Sequence, residues 1–174
     1  MIRIIESVLR ALQLIFITIA MGLCGALLEQ QVYGGTPTRL NYSMFVCALG
    51  AVSILYLLPS IFIDAIRHPV IVLALDGLNA IFFLCAGIAM AAELEGRDCS
   101  DWTWIQWNGI TNGGVVGTHY HQAMRCREAN ALTAFEWFTA VAFALSFAVV
   151  LYDWKKYGDT VRLGRRRPSM RGVY

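Results

Sequence analysis

The sequence predicts an all-α membrane protein, a bundle of four transmembrane helices with both termini in the cytosol. Three observations carry that expectation. Four long apolar runs follow one another; charged residues make up only 15% of a 174-residue chain that is 57% hydrophobic; and ten of the fourteen Lys and Arg residues fall on one side of the runs. Soluble domains carry about 25% charged residues and rarely contain helices that are apolar on every face. The length suits one domain, and a net charge of +2 gives no electrostatic basis for a nucleic-acid partner.

A bilayer core about 30 Å thick needs about 20 apolar helical residues to cross it, because no water is there to satisfy free backbone groups. The apolar cores at 11–28, 44–63, 69–92 and 131–151 each meet that length. With their flanks they predict helices over about 8–29, 42–65, 69–93 and 129–152, an outer loop over 94–128, a membrane domain of 1–152 and a tail of 153–174. The first run is long for the apolar region of a signal peptide and is read as a span. Pro69 is suited to open the third helix, since its missing N–H is not needed there.

Lys and Arg are retained on the cytosolic side during insertion. Arg3, Arg10, Arg67, Lys155, Lys156, Arg162, Arg165, Arg166, Arg167 and Arg171 lie on one side, and Arg39, Arg97, Arg125 and Arg127 on the other. That places both ends inside and the 94–128 loop outside. The outer loop then faces an oxidising compartment, and its Cys99 and Cys126 are expected to form a disulfide. Cys24, Cys47 and Cys85 fall inside helices, where a thiol acts as a small apolar side chain. Trp102, Trp104 and Trp107 suit the membrane interface, and His119 and His121 read as solvated loop residues without a third metal ligand. The sequon at Asn41 lies where the second helix enters the bilayer, a poor place for a glycan.

Ionisable groups at membrane depth need a partner or a purpose. Asp76 and Asn79 share one face of the third helix with Ala80, Phe83 and Gly87, and Glu136 shares a four-residue stripe with Ala140, Ala144 and Ala148. Both carboxyls are expected to face protein. Matched depth puts Arg10 or Gln13 beside Asp76, and Asn41 or Tyr42 beside Glu136, as a polar clasp that fixes helix register. Gly22, Ala26, Gly87, Ala140, Ala144 and Ala148 read as a seam where small residues let backbones approach. Lys155, Lys156, Arg165, Arg166 and Arg167 form a tail that attracts anionic inner-leaflet lipid by about 1 kcal/mol per basic residue. Ser169 follows the arginines as a candidate kinase site whose phosphate weakens that attraction. No catalytic constellation or metal site is evident.

The runs at 41–45 (N-Y-S-M-F), 75–79 (L-D-G-L-N) followed by Ala86 and Gly87, and 125–129 (R-C-R-E-A) occur in an order and spacing that resembles the fungal non-classical export proteins, four-helix proteins of the MARVEL class. The resemblance implies a multi-pass plasma-membrane protein of furrow-like domains underlain by eisosomes, linked to sphingolipid status, kinase signalling and export without a signal peptide. It carries over Asp76, Asn79, Cys99 and Cys126 as structural residues. The function expected is therefore a non-enzymatic membrane organiser without a cofactor. Its partners are membrane lipids (sphingolipid, sterol or anionic phospholipid), other copies of itself as a homo-oligomer, and eisosome or other plasma-membrane proteins. The alternatives are a small proton-coupled transporter or channel using Asp76 and Glu136, or an accessory subunit of a larger membrane complex.

Overall fold

The computed structural model describes residues 2–31, 35–63, 66–113 and 119–164, and among them every regular element is helical. In chain order these are α1 (Ile2–Glu29), α2 (Thr38–Leu57), α3 (Pro59–Phe62), α4 (Pro69–Leu94), α5 (Trp102–Ile105) and α6 (His119–Gly164). Four helical stretches have the length and apolarity to span a membrane, with α2 and α3 together making the second. Pro59 divides that span because it has no N–H to give to the helix ladder, while the Leu58 N–H still reaches Ile54 O at 2.9 Å.

Helices α1, α2, α4 and α6 form a closed ring in which α1 packs on α2 and α6, and α4 on α2 and α6. The diagonal pair α1 and α4 has no direct backbone approach among the described residues. The centre is therefore filled by side chains, with Ile17, Val46, Leu57, Phe83, Met90 and Phe143 fully buried. Phe83 stacks on Phe143 with centroids 6.0 Å apart. Gly50 makes room for this ring, since a Cβ there would sit 2.9 Å from Phe83 Cε2. The outward positions are apolar too, among them Val52, Leu55, Ile81, Ile88 and Val141. A helix greasy on both its inward and outward faces is one whose solvent is lipid.

Helix α4 opens with Pro69 at its first turn and stops where Glu95 and Gly96 take positive φ, the left-handed conformation that ends a helix. Several helices outrun the predicted spans. Helix α1 starts at Ile2 rather than 8, α2 at Thr38 rather than 42, and α6 covers His119–Gly164 rather than 129–152. At about 1.5 Å per residue the 46 residues of α6 reach about 69 Å, more than twice a bilayer core. Hydropathy reports only the stretch that lies in lipid, and the polar extensions at either end have no such signal.

The described residues of the loop between α4 and α6 form a folded cap. Asn108 Nδ2 donates to Glu93 O at 2.8 Å while its Oδ1 accepts the Ile110 and Thr111 N–H groups, and Thr111 Oγ1 donates to Ile105 O at 2.6 Å. These bonds bury Ile105 and Ile110. The three tryptophans, expected to share an interfacial role, differ in setting. Trp104 packs against the core, Trp102 is half-buried, and Trp107 is 81% exposed.

The small-residue seam needs correction. Gly87 and Ala140 are buried and Ala26 is half-buried, but Gly22, Ala144 and Ala148 are exposed, and nothing lies within 4 Å of where a Gly22 Cβ would be. Each four-residue step on an α-helix overshoots a full turn by about 40°, so a strict four-residue stripe starting at Glu136 rotates out of the bundle. The buried register of α6 mixes steps of three and four through Glu136, Ala140, Phe143, Ser146 and Val150.

Gly50→Ala is expected to lower stability by about 1–3 kcal/mol through overpacking against Phe83, whereas Gly22→Ala is expected to be neutral or slightly stabilising. Thermal unfolding of both variants in mild detergent checks the contrast.

Candidate functional site

The polar residues at membrane depth converge on the bundle axis, in the half nearer the chain termini. Arg10 projects from α1 across the centre to Asp76 on α4, with Nη1 to Oδ1 at 2.5 Å and Nη2 to Oδ2 at 2.9 Å. Both side chains are at most 2% exposed. The pairing is bidentate, the geometry in which a guanidinium matches a carboxylate best. Arg10 Nη1 also donates to Gln13 Oε1 at 2.9 Å, and Gln13 Nε2 donates to Ala142 O of α6 at 3.1 Å. One turn along α4, Asn79 Nδ2 donates to Ser53 Oγ of α2 at 2.8 Å and back to Leu75 O. A single polar seam thus touches all four long helices.

Closer to the termini, Arg67 from the 63–68 connection grips the buried Glu6 of α1 through Nη2, at 2.7 and 2.9 Å to its two oxygens. An isolated buried charge is costly, and here each cation meets a carboxylate.

Glu136 lies in the other half of the bundle, buried on α6 with Ser43 of α2 facing it. Asn41 does not join it. That side chain is exposed and donates to Thr36 Oγ1 at 2.9 Å, in the turn that leads into α2. Depth was matched but rotation was not, since Asn41 and Ser43 are two residues apart and point about 200° apart around the helix. Tyr42 is half-buried, with its hydroxyl 3.5 Å from Phe82 O. The clasp is therefore Arg10, Gln13, Asp76 and Asn79, with Glu136 separate from it.

At the cap end Cys99 and Cys126 are joined, with Cα atoms 5.6 Å apart. Beside the disulfide, Arg125 is buried and saturated. Its Nε and Nη2 donate to Ile110 O, its Nη1 to Leu27 O at 2.9 Å, and its Nη2 also to Gln31 Oε1 at 3.1 Å. The Leu27 carbonyl belongs to the last turn of α1, where a cation also meets the negative end of the helix dipole. Gly113, at φ +62°, admits the guanidinium, for a Cβ there would sit 2.9 Å from Arg125 Nε. Arg39 and Glu93 form an ion pair between α2 and α4 at the same end. On the cap surface, Thr103 Oγ1 donates to Asp101 at 2.6 Å and holds its carboxyl below the ordinary range.

Arg125, Glu6, Arg67 and Ser53 have no site role in the sequence reading, where the two arginines count only towards topology or a motif. The signal for Arg125 is its place beside Cys126 in the R-C-R-E-A run; Glu6 stands one turn before Arg10 on the same face. Of the lipid-seeking residues, Lys155 and Lys156 are exposed near the end of the described side chains, with Lys156 Nζ 6.0 Å from the Tyr152 ring centroid. Arg165, Arg166, Arg167 and Ser169 lie outside the described residues. Cys24 and Cys47 are buried and Cys85 is exposed on the lipid-facing side of α4. Among the described residues no three His, Cys, Asp or Glu side chains come together as a metal site.

The model of the MARVEL membrane-associating domain matches residues 3–149, the stretch that holds the first three spans and most of the fourth. The chain belongs to the MARVEL family. Non-classical export protein 2 of Saccharomyces cerevisiae is 33% identical over 177 residues, covering 99% of this chain and 96% of that protein. Non-classical export protein 102 of Candida albicans is 33% identical over 179 residues, covering 99% of this chain and all of its own length. A Schizosaccharomyces pombe homologue of non-classical export protein 2 is 28% identical over 146 residues, 83% of this chain and 75% of that protein. No solved structure matches. The match begins at Arg3 and ends just short of Val150, so the MARVEL domain here contains the whole clasp, the cap and Glu136, and leaves out the end of α6.

Within the MARVEL domain the disulfide closes the cap across 27 residues, worth about 3.5 kcal/mol by chain entropy. Replacing Cys99 and Cys126 by Ser, or reducing the folded protein, is expected to lower stability by that order. Arg125→Met is expected to cost about 1–3 kcal/mol by stranding the Leu27 and Ile110 carbonyls. Denaturant unfolding in detergent, with and without reductant, measures both.

Proposed function

We propose that this MARVEL protein is a non-enzymatic organiser of plasma-membrane domains, multi-pass with both termini in the cytosol, that acts through lateral association and lipid preference. The orientation rests on the ten basic residues grouped at the terminal end. The observation that carries the reading is the closure of the Arg10–Asp76 pair. Both Asp76 oxygens are engaged by one guanidinium whose neighbour Gln13 ties it to α6, so the carboxyl that a carrier would use for ions is committed to holding helices together. What remains available to partners is the apolar outer belt and the basic end of α6. The names of the relatives, non-classical export proteins, support a role in unconventional export. A place in eisosome-type, sphingolipid-linked domains and in lipid-responsive signalling is the family-level expectation that this reading adopts. Homo-oligomerisation within such domains, and bound sphingolipid, sterol or anionic phospholipid, belong to the same proposal.

Imaging of the full-length tagged chain in living fungal cells tests this. The expected result is stable plasma-membrane patches that disperse when sphingolipid synthesis is blocked, together with vesicle ion flux unchanged by reconstituting the protein. Uniform distribution in untreated cells, or flux that depends on the protein and vanishes in Asp76→Asn, contradicts the organiser role.

A further inference from the structure

Glu136 is the buried acid that the clasp does not use. It is fully buried in the cap half of the bundle, and neither carboxyl oxygen has a hydrogen-bond partner at normal geometry among the described residues. Ser43 of α2 faces it, and the Ser43 hydroxyl, equally buried, is also without a partner at normal geometry. Two orphaned polar groups on neighbouring helices, turned towards each other, form a site rather than two accidents. Among the described residues, the titratable side chains set against it include no cation. Cys24 comes from α1, Tyr42 and Cys47 from α2, and α4 contributes the apolar Phe83, Ala86, Gly87 and Met90 to the buried core of this half. The buried guanidiniums are committed elsewhere, Arg10 to Asp76 and Arg125 to backbone carbonyls.

An ionised carboxylate so buried has no cation facing it among the described residues, whereas the neutral acid has one O–H to give and one acceptor to give it to. We propose that Glu136 and Ser43 form a proton-binding site inside the membrane, with the carboxyl held as the neutral acid and its O–H turned to the Ser43 hydroxyl. The proton can leave only when α6 parts from α1 and α2 far enough to admit water, so its occupancy reports whether the cap half of the bundle is closed. This is independent of the organiser role and differs from a carrier, because a single sealed site at one depth is not a path.

A lipid-soluble carbodiimide, which enters from the lipid when α6 parts from α1 and α2, tests it on the full chain in membranes. The acid oxygen adds to the carbodiimide carbon, the acid proton passes to a carbodiimide nitrogen, and the resulting O-acylisourea rearranges to a stable N-acylurea without another reagent. After treatment with dicyclohexylcarbodiimide, peptide mass spectrometry is expected to find the adduct at Glu136 at least tenfold above that at Asp76, whose carboxylate is paired with Arg10. The adduct is expected to vanish in Glu136→Gln, and the same variant, an isostere of the neutral acid, is expected to keep the wild-type Tm. No Glu136 adduct, equal labelling of Glu136 and Asp76, or efficient capture of Glu136 by a water-soluble carbodiimide overturns the proposal. So does a large fall in Tm on Glu136→Gln, which would reveal an ionised group with a partner.

Discussion

The architecture depends on one constraint, that a guanidinium and a carboxylate on diagonal helices must both be out of lipid and out of water. Helices α1 and α4 do not touch through their backbones among the described residues, yet Arg10 and Asp76 meet across the axis through two hydrogen bonds. The long arginine side chain spans that distance. Apolar packing cannot fix the bundle so uniquely, because between helices in lipid there is little hydrophobic drive, and leucine against leucine is much the same as leucine against a lipid chain. A misplaced rotation of either helix, by contrast, strands a charge in hydrocarbon at a cost of several kcal/mol. The pair thus sets register and rotation together, whatever net stability it contributes.

The two ends of the bundle are secured by other means. At the terminal end Glu6 and Arg67 repeat the ionic solution. At the cap end the chain leaves the membrane and meets water, so the fastening is a disulfide, an ion pair and an arginine that gathers carbonyls from α1 and the cap. The long α6 joins these regions, since it carries Arg125 and Cys126 at the cap end, Glu136 and the Ala142 carbonyl inside the bundle, and Lys155 and Lys156 towards the terminal end. Damage to its register would be felt at all three levels.

Length and apolarity made the four spans legible, because the bilayer imposes a minimum run that few soluble helices reach. The Cys99–Cys126 disulfide was legible because both cysteines fall in one loop between spans, and the matched depth of Arg10 and Asp76 because distance along a helix reads directly as depth. Rotation was less so. Asn41 lies at the level of Glu136 but around the helix from Ser43, and Ala144 and Ala148 follow a four-residue step that the helix does not keep. The polar ends of α1, α2 and α6 were invisible to hydropathy, as was the cap fold built by Asn108 and Thr111. Arg125 illustrates the limit well. In sequence it counts as one outer charge, and only the fold shows that it is a buried cap for Leu27.

The most direct measurement is a double-mutant cycle on Arg10→Met and Asp76→Leu, read by denaturant unfolding in mild detergent. Each single change leaves a buried charge without its partner and is expected to cost about 3–5 kcal/mol, while the double change is expected to restore most of the loss, giving a coupling of several kcal/mol. Losses that simply add, within about 0.5 kcal/mol, would mean that the two side chains do not hold each other and that the bundle owes its register to something else.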